Sequence, residues 1–183
     1  MTSKSPRRIA FRSLEDADIA ELHRRQNTDC TEELSELLDN KPVWTPLTLG
    51  QVKEKIAEEQ KKPCTAVFAI CHGEEFIGIV EWSGSWDTWA PYAWFMIWPE
   101  HRRLGYGTQA SKMLLDRSFL QNPGHVVSTV ATDWNMPAIQ FLKSIGFKDS
   151  GRMRRAGLRE GRYFDIIFFD QLKSEHLGKG VRN

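Results

Sequence analysis

Arg102, Arg103, Gly105 and Gly107 lie within the run Arg102-Arg103-Leu104-Gly105-Tyr106-Gly107, whose residue types and spacing suit the holding of a phosphate. Two glycines let the main chain turn tightly and approach a ligand closely, and two guanidinium groups add positive charge at the same end. A helix that opens here points the N–H groups of its first turn outward, and its dipole favours an anion. The flanking residues predict such a helix. Thr108 to Gln121 contains neither Gly nor Pro, and Ala110, Met113, Leu114 and Leu115 fall at helical spacing until Asn122, Pro123 and Gly124 end the pattern. Upstream, the apolar run from Tyr92 to Trp98 reads as a strand that stops at Pro99, which cannot donate to a ladder. Strand, basic glycine turn and helix follow in that order.

The rest of the chain supplies elements to position this turn. Arg8 to Leu14 is expected as a short strand, and Ser13 with Asp16 as the cap of a helix running to about Arg25. A second helical stretch spans Thr31 to Leu38. Thr48 and Gln51 form a capping box for a helix that Pro63 terminates. Cys64 to Cys71 and Phe76 to Trp82 read as an antiparallel hairpin about His72-Gly73, with the strand Tyr92 to Trp98 after it. Trp94, Met96 and Trp98 share one face of that strand and Phe95 and Ile97 the other, so both faces are apolar. Trp86 and Trp89 in the preceding loop are large rings that must cover something, such as an acceptor pocket or a second copy. After the glycine turn come a strand from Val126 to Thr132, a helix from Pro137 to Ser144, and a final hairpin of Phe147 to Arg155 and Arg162 to Asp170. The tail from Lys173 is polar and expected to fray. The order predicts an α+β fold, sandwich-like, with a mixed, mostly antiparallel central sheet.

At 183 residues, 40% of them hydrophobic and 27% charged, the chain suffices for one core. A single domain over residues 1–183 is expected, with its core from about 8 to 172 and a polar tail from 173 to 183. The net charge of +1 gives no global reason to expect nucleic acid or a membrane as partner. Cys30, Cys64 and Cys71 show no paired spacing, which fits a reducing cytoplasm and no disulfide framework. The start of the chain has no apolar signal core, and the five histidines lack ligand spacing, so no metal site is expected.

Three groups of residues together resemble the GNAT superfamily of acyl-CoA-dependent N-acetyltransferases. Arg102, Gly105 and Gly107, preceded by Pro99, match its R/Q-x-x-G-x-G/A signature. Asn135, Ala138, Gly146 and Phe147 match the helix after the next strand. Gly161, Arg162, Tyr163 and Asp165 match the closing run of the branch that acetylates ribosomal-protein N-termini. The resemblance covers about Arg8 to Leu172. It implies the GNAT fold, with helices on both faces of a sheet splayed in the middle. It also implies acetyl-CoA as acyl donor and an amine acceptor, either a protein N-terminus or a small molecule, and a homodimer as a frequent state. By the same resemblance the pyrophosphate lies on the amides of Arg103, Leu104, Gly105, Tyr106, Gly107 and Thr108, with Arg102 beside them. The pantetheine arm pairs with the backbone of Phe95, Met96 and Ile97 as an added strand. Asn135, Ala138 and Phe141 contact it from the other side.

Acetyl transfer to an amine needs a base to keep the amine neutral, a donor to the developing oxyanion and a proton for the departing thiolate. The Glu and Tyr that serve as base and acid in well-known members that this chain resembles are replaced here by Val130 and Leu142. Glu81, at the end of the strand before the tryptophan loop, is the first candidate base and Asp133, beside Asn135, the second. Either position also suits a solvated surface carboxylate. A backbone N–H near Ile97 can polarise the thioester carbonyl, and solvent is left as the acid. Asp29, Glu32, Glu33, Glu36 and Asp39 form a negative patch that draws in a cationic amine or is simply a solvated helix face. Arg152, Arg154, Arg155, Arg159 and Arg162 crowd the last hairpin, where phosphate or RNA contact competes with the commoner explanation of an exposed tip.

Gly105, Gly107 and Ala110 also satisfy the dinucleotide fingerprint G-x-G-x-x-A. An NAD(P)-dependent oxidoreductase fits poorly, because His125 and Val126 stand where its ribose-binding acid belongs and too few parallel strands follow. A non-catalytic CoA-binding sensor or interaction module on the same fold remains as the alternative to an enzyme.

Overall fold

The computed structural model describes residues 8–30, 34, 46–84, 90–121 and 124–178. They form strand β1 (Ile9–Ser13), helix α1 (Asp16–Gln26), helix α2 (Leu49–Lys61), strands β2 (Ala66–His72), β3 (Glu75–Ser83) and β4 (Tyr92–Ile97), and a 3-10 turn at Pro99–His101. Helix α3 (Tyr106–Gln121), strand β5 (Val126–Thr132), helix α4 (Met136–Ser144), strands β6 (Lys148–Arg159) and β7 (Arg162–Leu172) and helix α5 (Lys173–His176) complete the order. Among the described residues seven strands make one sheet in the order β1-β2-β3-β4-β5-β7-β6. The neighbours β1–β2, β2–β3, β5–β7 and β6–β7 are antiparallel, and β4–β5 is parallel. The mixed, mostly antiparallel α+β expectation is met.

The chain divides into two compact units, Met1–Trp82 with Phe95–Ala110 and Ser83–Trp94 with Ser111–Asn183. In the first, β1 pairs with β2 from Ile9↔His72 to Ser13↔Phe68, and β2 pairs with β3 across the turn at Gly73, whose φ is +65°. The core here includes Leu22, Val52, Ile70, Ile77 and Ile79, all fully buried. Thr48 and Gln51 cap α2 as expected, the Thr48 N–H donating to Gln51 Oε1 at 2.8 Å. Ser13 does not cap α1, because it stays in β1 opposite Phe68. Glu15 takes that place, its N–H donating to Asp18 Oδ2 at 2.8 Å, and buried Asp18 also receives Arg12 Nη2 at 2.9 Å. The expected helix at Thr31 to Leu38 lies outside the described residues save Leu34, and Trp86 and Trp89 lie outside them too.

In the second unit β5 pairs with β7 from Val126↔Leu172 to Thr132↔Ile166, and its parallel contact with β4 is Tyr92↔Ser128. Strand β6 runs four residues past the expected Arg155, to Arg159, by passing through a bulge between Met153 and Gly157. The tail does not fray at Lys173. It turns into α5, where His176 Nε2 lies 2.7 Å from Asp116 Oδ1 and the ring packs 5.3 Å from that of Phe119. No helix among the described residues is long and apolar enough to cross a membrane.

Candidate functional site

Strand β4 brings the chain to the basic turn. In the first unit its end is tied to β3, as the Trp98 N–H donates to Ile77 O at 3.0 Å and the indole Nε1 to Phe76 O at 3.0 Å. A Cβ on Gly78 would stand 2.3 Å from Met96 O and 3.0 Å from Ile97 Cα, so glycine alone lets β3 approach β4 this closely. Of the two apolar faces, Trp94, Met96 and Trp98 are buried while Phe95 and Ile97 are only half-buried. The fully buried strand expected from the sequence is therefore buried on one face.

After Trp98 the chain takes its 3-10 turn, with the His101 N–H on Trp98 O at 2.9 Å. Arg102 folds back and donates from Nε to Ile97 O at 2.9 Å, so its head anchors the strand end. Arg103 and Gly105 then adopt left-handed φ of +60° and +84°, and the Gln109 N–H closes on Gly105 O at 3.1 Å to start α3. A Cβ on Gly105 would meet nothing within 4 Å, so conformation and not space selects glycine there. A left-handed arginine is uncommon, and such positions gather at functional sites. Tyr106 is buried with its ring 5.1 Å from His72, whereas Arg103, Leu104 and Thr108 are exposed. The turn thus presents its main chain and the Arg103 side chain outward from a fixed base.

That base is an arginine that sequence reasoning did not single out. Arg25, at the end of α1, is 5% exposed, and its guanidinium carbon lies 4.6 Å from the centroid of the Trp98 ring. Nε donates to Glu21 Oε1 at 2.7 Å, and Nη1 to Asp29 Oδ2 at 3.1 Å and to Glu100 Oε2 at 3.3 Å, while Nη2 bonds the second Glu100 oxygen. Glu100 is the middle residue of the 3-10 turn, so a charge on α1 fixes the chain just ahead of the glycine run. The hydrogen bond from Arg25 outweighs burial and holds the Glu100 carboxyl down to about 2. Nothing local marks Arg25, because its partners other than Glu21 and Asp29 lie far along the chain. Gly78 was legible in principle, since a lone glycine in a strand pattern signals close backbone approach.

Of the two base candidates, Glu81 falls at the end of β3 in the first unit, opposite Val67 and half-buried. Asp133 falls in the second unit, at the end of β5, its N–H donating to Asp165 O at 2.9 Å. Asn135 caps α4, accepting the Ala138 N–H on Oδ1 at 3.2 Å, and Phe141 is half-buried on the same helix. Glu81, Phe95, Met96, Ile97 and Arg102 to Thr108 belong to the first unit, and Asp133, Asn135, Ala138 and Phe141 to the second. In the acidic patch Asp29 is engaged by Arg25, and Glu32, Glu33, Glu36 and Asp39 lie outside the described residues.

Residues 8–148 match the family model of the acetyltransferase (GNAT) domain. The L-methionine sulfoximine/L-methionine sulfone acetyltransferases of Pseudomonas aeruginosa and Pseudomonas paraeruginosa are each 28% identical over 109 residues, which is 55% of this chain and 63% of theirs. The match thus spans less than two thirds of those relatives. The spermidine N-acetyltransferase of Vibrio cholerae, in complex with CoA and spermine, superposes with a TM-score of 0.78 at 20% identity, over 93% of this chain and 98% of that one. The spermidine/spermine N-acetyltransferase of the same organism with manganese ions gives 0.73 at 21% identity, over 94% and 97%. At that identity the likeness is one of fold.

The Arg25–Glu100 contact predicts a pH dependence. A carboxyl held below its ordinary value of 4.5 lends stability that is complete above that value and is lost as the pH falls towards about 2. Glu100→Gln removes this contribution, so its urea midpoint should fall less than that of the unaltered chain between those two pH values. Parallel curves for the two proteins would contradict the assignment.

Proposed function

Because the chain belongs to the GNAT acetyltransferase family, we propose that it transfers the acetyl group of acetyl-CoA to a primary amine by direct attack in a ternary complex. The observation that carries this is the basic turn at the head of α3, with left-handed Arg103 and Gly105 fixed behind by Arg102 on Ile97 O and by Arg25 on Glu100. Such a turn suits a diphosphate in three ways. Main-chain amides from Arg103 to Thr108 supply donors, the helix dipole supplies a positive end, and exposed Arg103 adds a full charge. The half-buried face of Phe95 and Ile97 offers an apolar bed for the pantetheine arm, and the β4 main chain offers strand-like pairing. Asn135, Ala138 and Phe141 are proposed to contact that arm as well. The single acetyltransferase domain is taken to cover both units, since the family match runs through each of them.

In the reaction the amine nitrogen attacks the thioester carbon, a C–N bond forms, the C–S bond breaks, and the CoA thiolate takes up a proton. Glu81 is proposed to accept the proton that the amine loses, with Asp133 as the second candidate. An N–H near Ile97 would steady the oxyanion. Leu142 is 3% exposed and apolar, so no acid comes from that position and solvent is left to protonate the thiolate. The acceptor class has two supports that point apart. The closing run Gly161, Arg162, Tyr163 and Asp165 favours a protein N-terminus, whereas the names of the relatives favour small-molecule amines. A cytoplasmic setting is supported by Cys30, Cys64 and Cys71 being thiols outside any disulfide. The exposed apolar side chains of Met153, Leu158 and Phe168 support a homodimer.

Gly107→Val leaves a helical position helical but adds bulk at the cradle. Calorimetry should show acetyl-CoA affinity reduced by about 10²-fold or more, the loss expected when charge-assisted contacts to phosphate are displaced. Unchanged affinity would place the diphosphate elsewhere. For Glu81→Gln, thiol release should slow by about 10²-fold with little change in the acetyl-CoA constant, as for loss of a general base. An unaltered rate would reject Glu81 and turn attention to Asp133.

A further inference from the structure

From Arg102 to Thr108 only Tyr106 is buried, at 4% exposed. Its own N–H is among the amides assigned above to the diphosphate, so a grip on the Tyr106 ring is also a grip on the main chain that seats the donor. Two imidazoles provide that grip. His72, at the end of β2, packs its ring 5.1 Å from the Tyr106 ring at a tilt of 44°. His101, at the end of the 3-10 turn, meets the same ring nearly edge-on, at 6.4 Å and 66°. All three residues lie in the first unit. Between Arg102, which is tied to Ile97 O, and Tyr106 stand exposed Arg103, Leu104 and Gly105, two of them with left-handed φ. Strained backbone of this kind keeps its shape only where its surroundings hold it. Arg102 holds the near end, and the Tyr106 ring holds the far one.

The same contacts place two titratable groups behind an anion-binding turn. Imidazole is the side chain whose charge changes close to neutral pH. His101 Nε2 lies 3.4 Å from Glu75 Oε1 at the start of β3, a contact that contributes little by itself because Glu75 is largely exposed. Glu100, already engaged by Arg25, precedes His101 in the chain, and Arg102 and Arg103 follow it. His72 stands opposite Glu75 in the β2–β3 pair and opposite Ile9 in the β1–β2 pair, with Glu74 in the turn between the first two. Among the described residues no other ion pair reaches either ring. An apolar side chain would pack against Tyr106 as well, so what the imidazoles add is a proton. A diphosphate seated on the turn attracts positive charge behind it, and by linkage a proton on either ring attracts the diphosphate.

We propose that His72 and His101 are positioning residues for the donor, which hold the turn before α3 through the Tyr106 ring and make donor affinity rise as the pH falls. This rests on the transferase reading above, in which the donor's diphosphate lies on the amides from Arg103 to Thr108. It goes beyond that reading by adding two residues that touch neither acyl group nor acceptor.

The test uses the full chain and 3′-dephospho-CoA, which keeps the diphosphate and lacks the phosphate monoester that changes charge in the same pH range. Calorimetry should show Kd falling about fivefold or more from about pH 8 to about pH 5.5, with net proton uptake revealed by two buffers of unlike ionisation heat. The pair His72→Gln with His101→Gln should bind about fivefold more weakly at the higher pH and show no slope. The pair His72→Phe with His101→Phe keeps the rings without the protons. It should regain the affinity at the higher pH and remain flat. Tyr106→Leu should weaken binding as the glutamine pair does, and the two changes together should weaken it no further, as for groups that act through one contact. Flat binding by the unaltered chain, a slope that survives in the glutamine pair, a phenylalanine pair no tighter than the glutamine pair, or losses that add would each overturn the inference. Saturable uptake of acetyl-CoA in those cases leaves the reading of the turn in place. No uptake of acetyl-CoA at any pH would remove that reading, and this inference with it.

Discussion

Arg25 places a full positive charge where almost no water reaches it, and the first unit is arranged around that charge. An isolated guanidinium buried to this degree would be prohibitively costly, yet Glu21, Asp29 and Glu100 supply carboxylate oxygens and the Trp98 ring supplies its electron-rich face. Two of the carboxylates belong to α1 and to the turn after it, at Glu21 and Asp29. The third belongs to the 3-10 turn after β4. The charge therefore serves less as a source of net stability than as a specification of where that turn must sit. Next along the chain come the fold-back of Arg102 onto Ile97 O, the left-handed steps at Arg103 and Gly105, and the start of α3.

The second unit uses a carboxylate for the corresponding purpose. Asp165 holds Arg152 with one oxygen and the Arg155 main chain with the other, while its own carbonyl takes the Asp133 N–H. One residue thus fixes a three-residue bulge with its side chain and the end of β5 with its main chain. In both units a charged group with several main-chain and side-chain partners shapes backbone that would otherwise be free to relax. Irregular backbone so determined is where function-bearing side chains are commonly displayed.

Features whose causes are local were legible in the sequence. The capping box at Thr48 and Gln51, the turn at Gly73 and the strand–turn–helix order about Gly105 each depend on residues a few positions apart. The family resemblance rested on the same local runs. Ser13 failed as a cap because β1 keeps it paired with Phe68, a long-range contact that local capping rules do not see. Lys173 to His176 ordered for a similar reason, since Asp116 and Phe119 on α3 receive His176. Arg25 and the bulge at Arg154 were illegible in principle. Their meaning comes from Glu100, 75 positions away from Arg25, and from the register of β6 against β7.

The central claim is that main-chain amides at the head of α3 hold the diphosphate of an acyl donor, and amide resonances report on it directly. With uniformly labelled protein titrated with CoA, the largest shift changes and the greatest slowing of hydrogen exchange should fall on the N–H groups from Arg103 to Thr108. Saturating binding that leaves those amides unmoved and perturbs another segment would contradict the account.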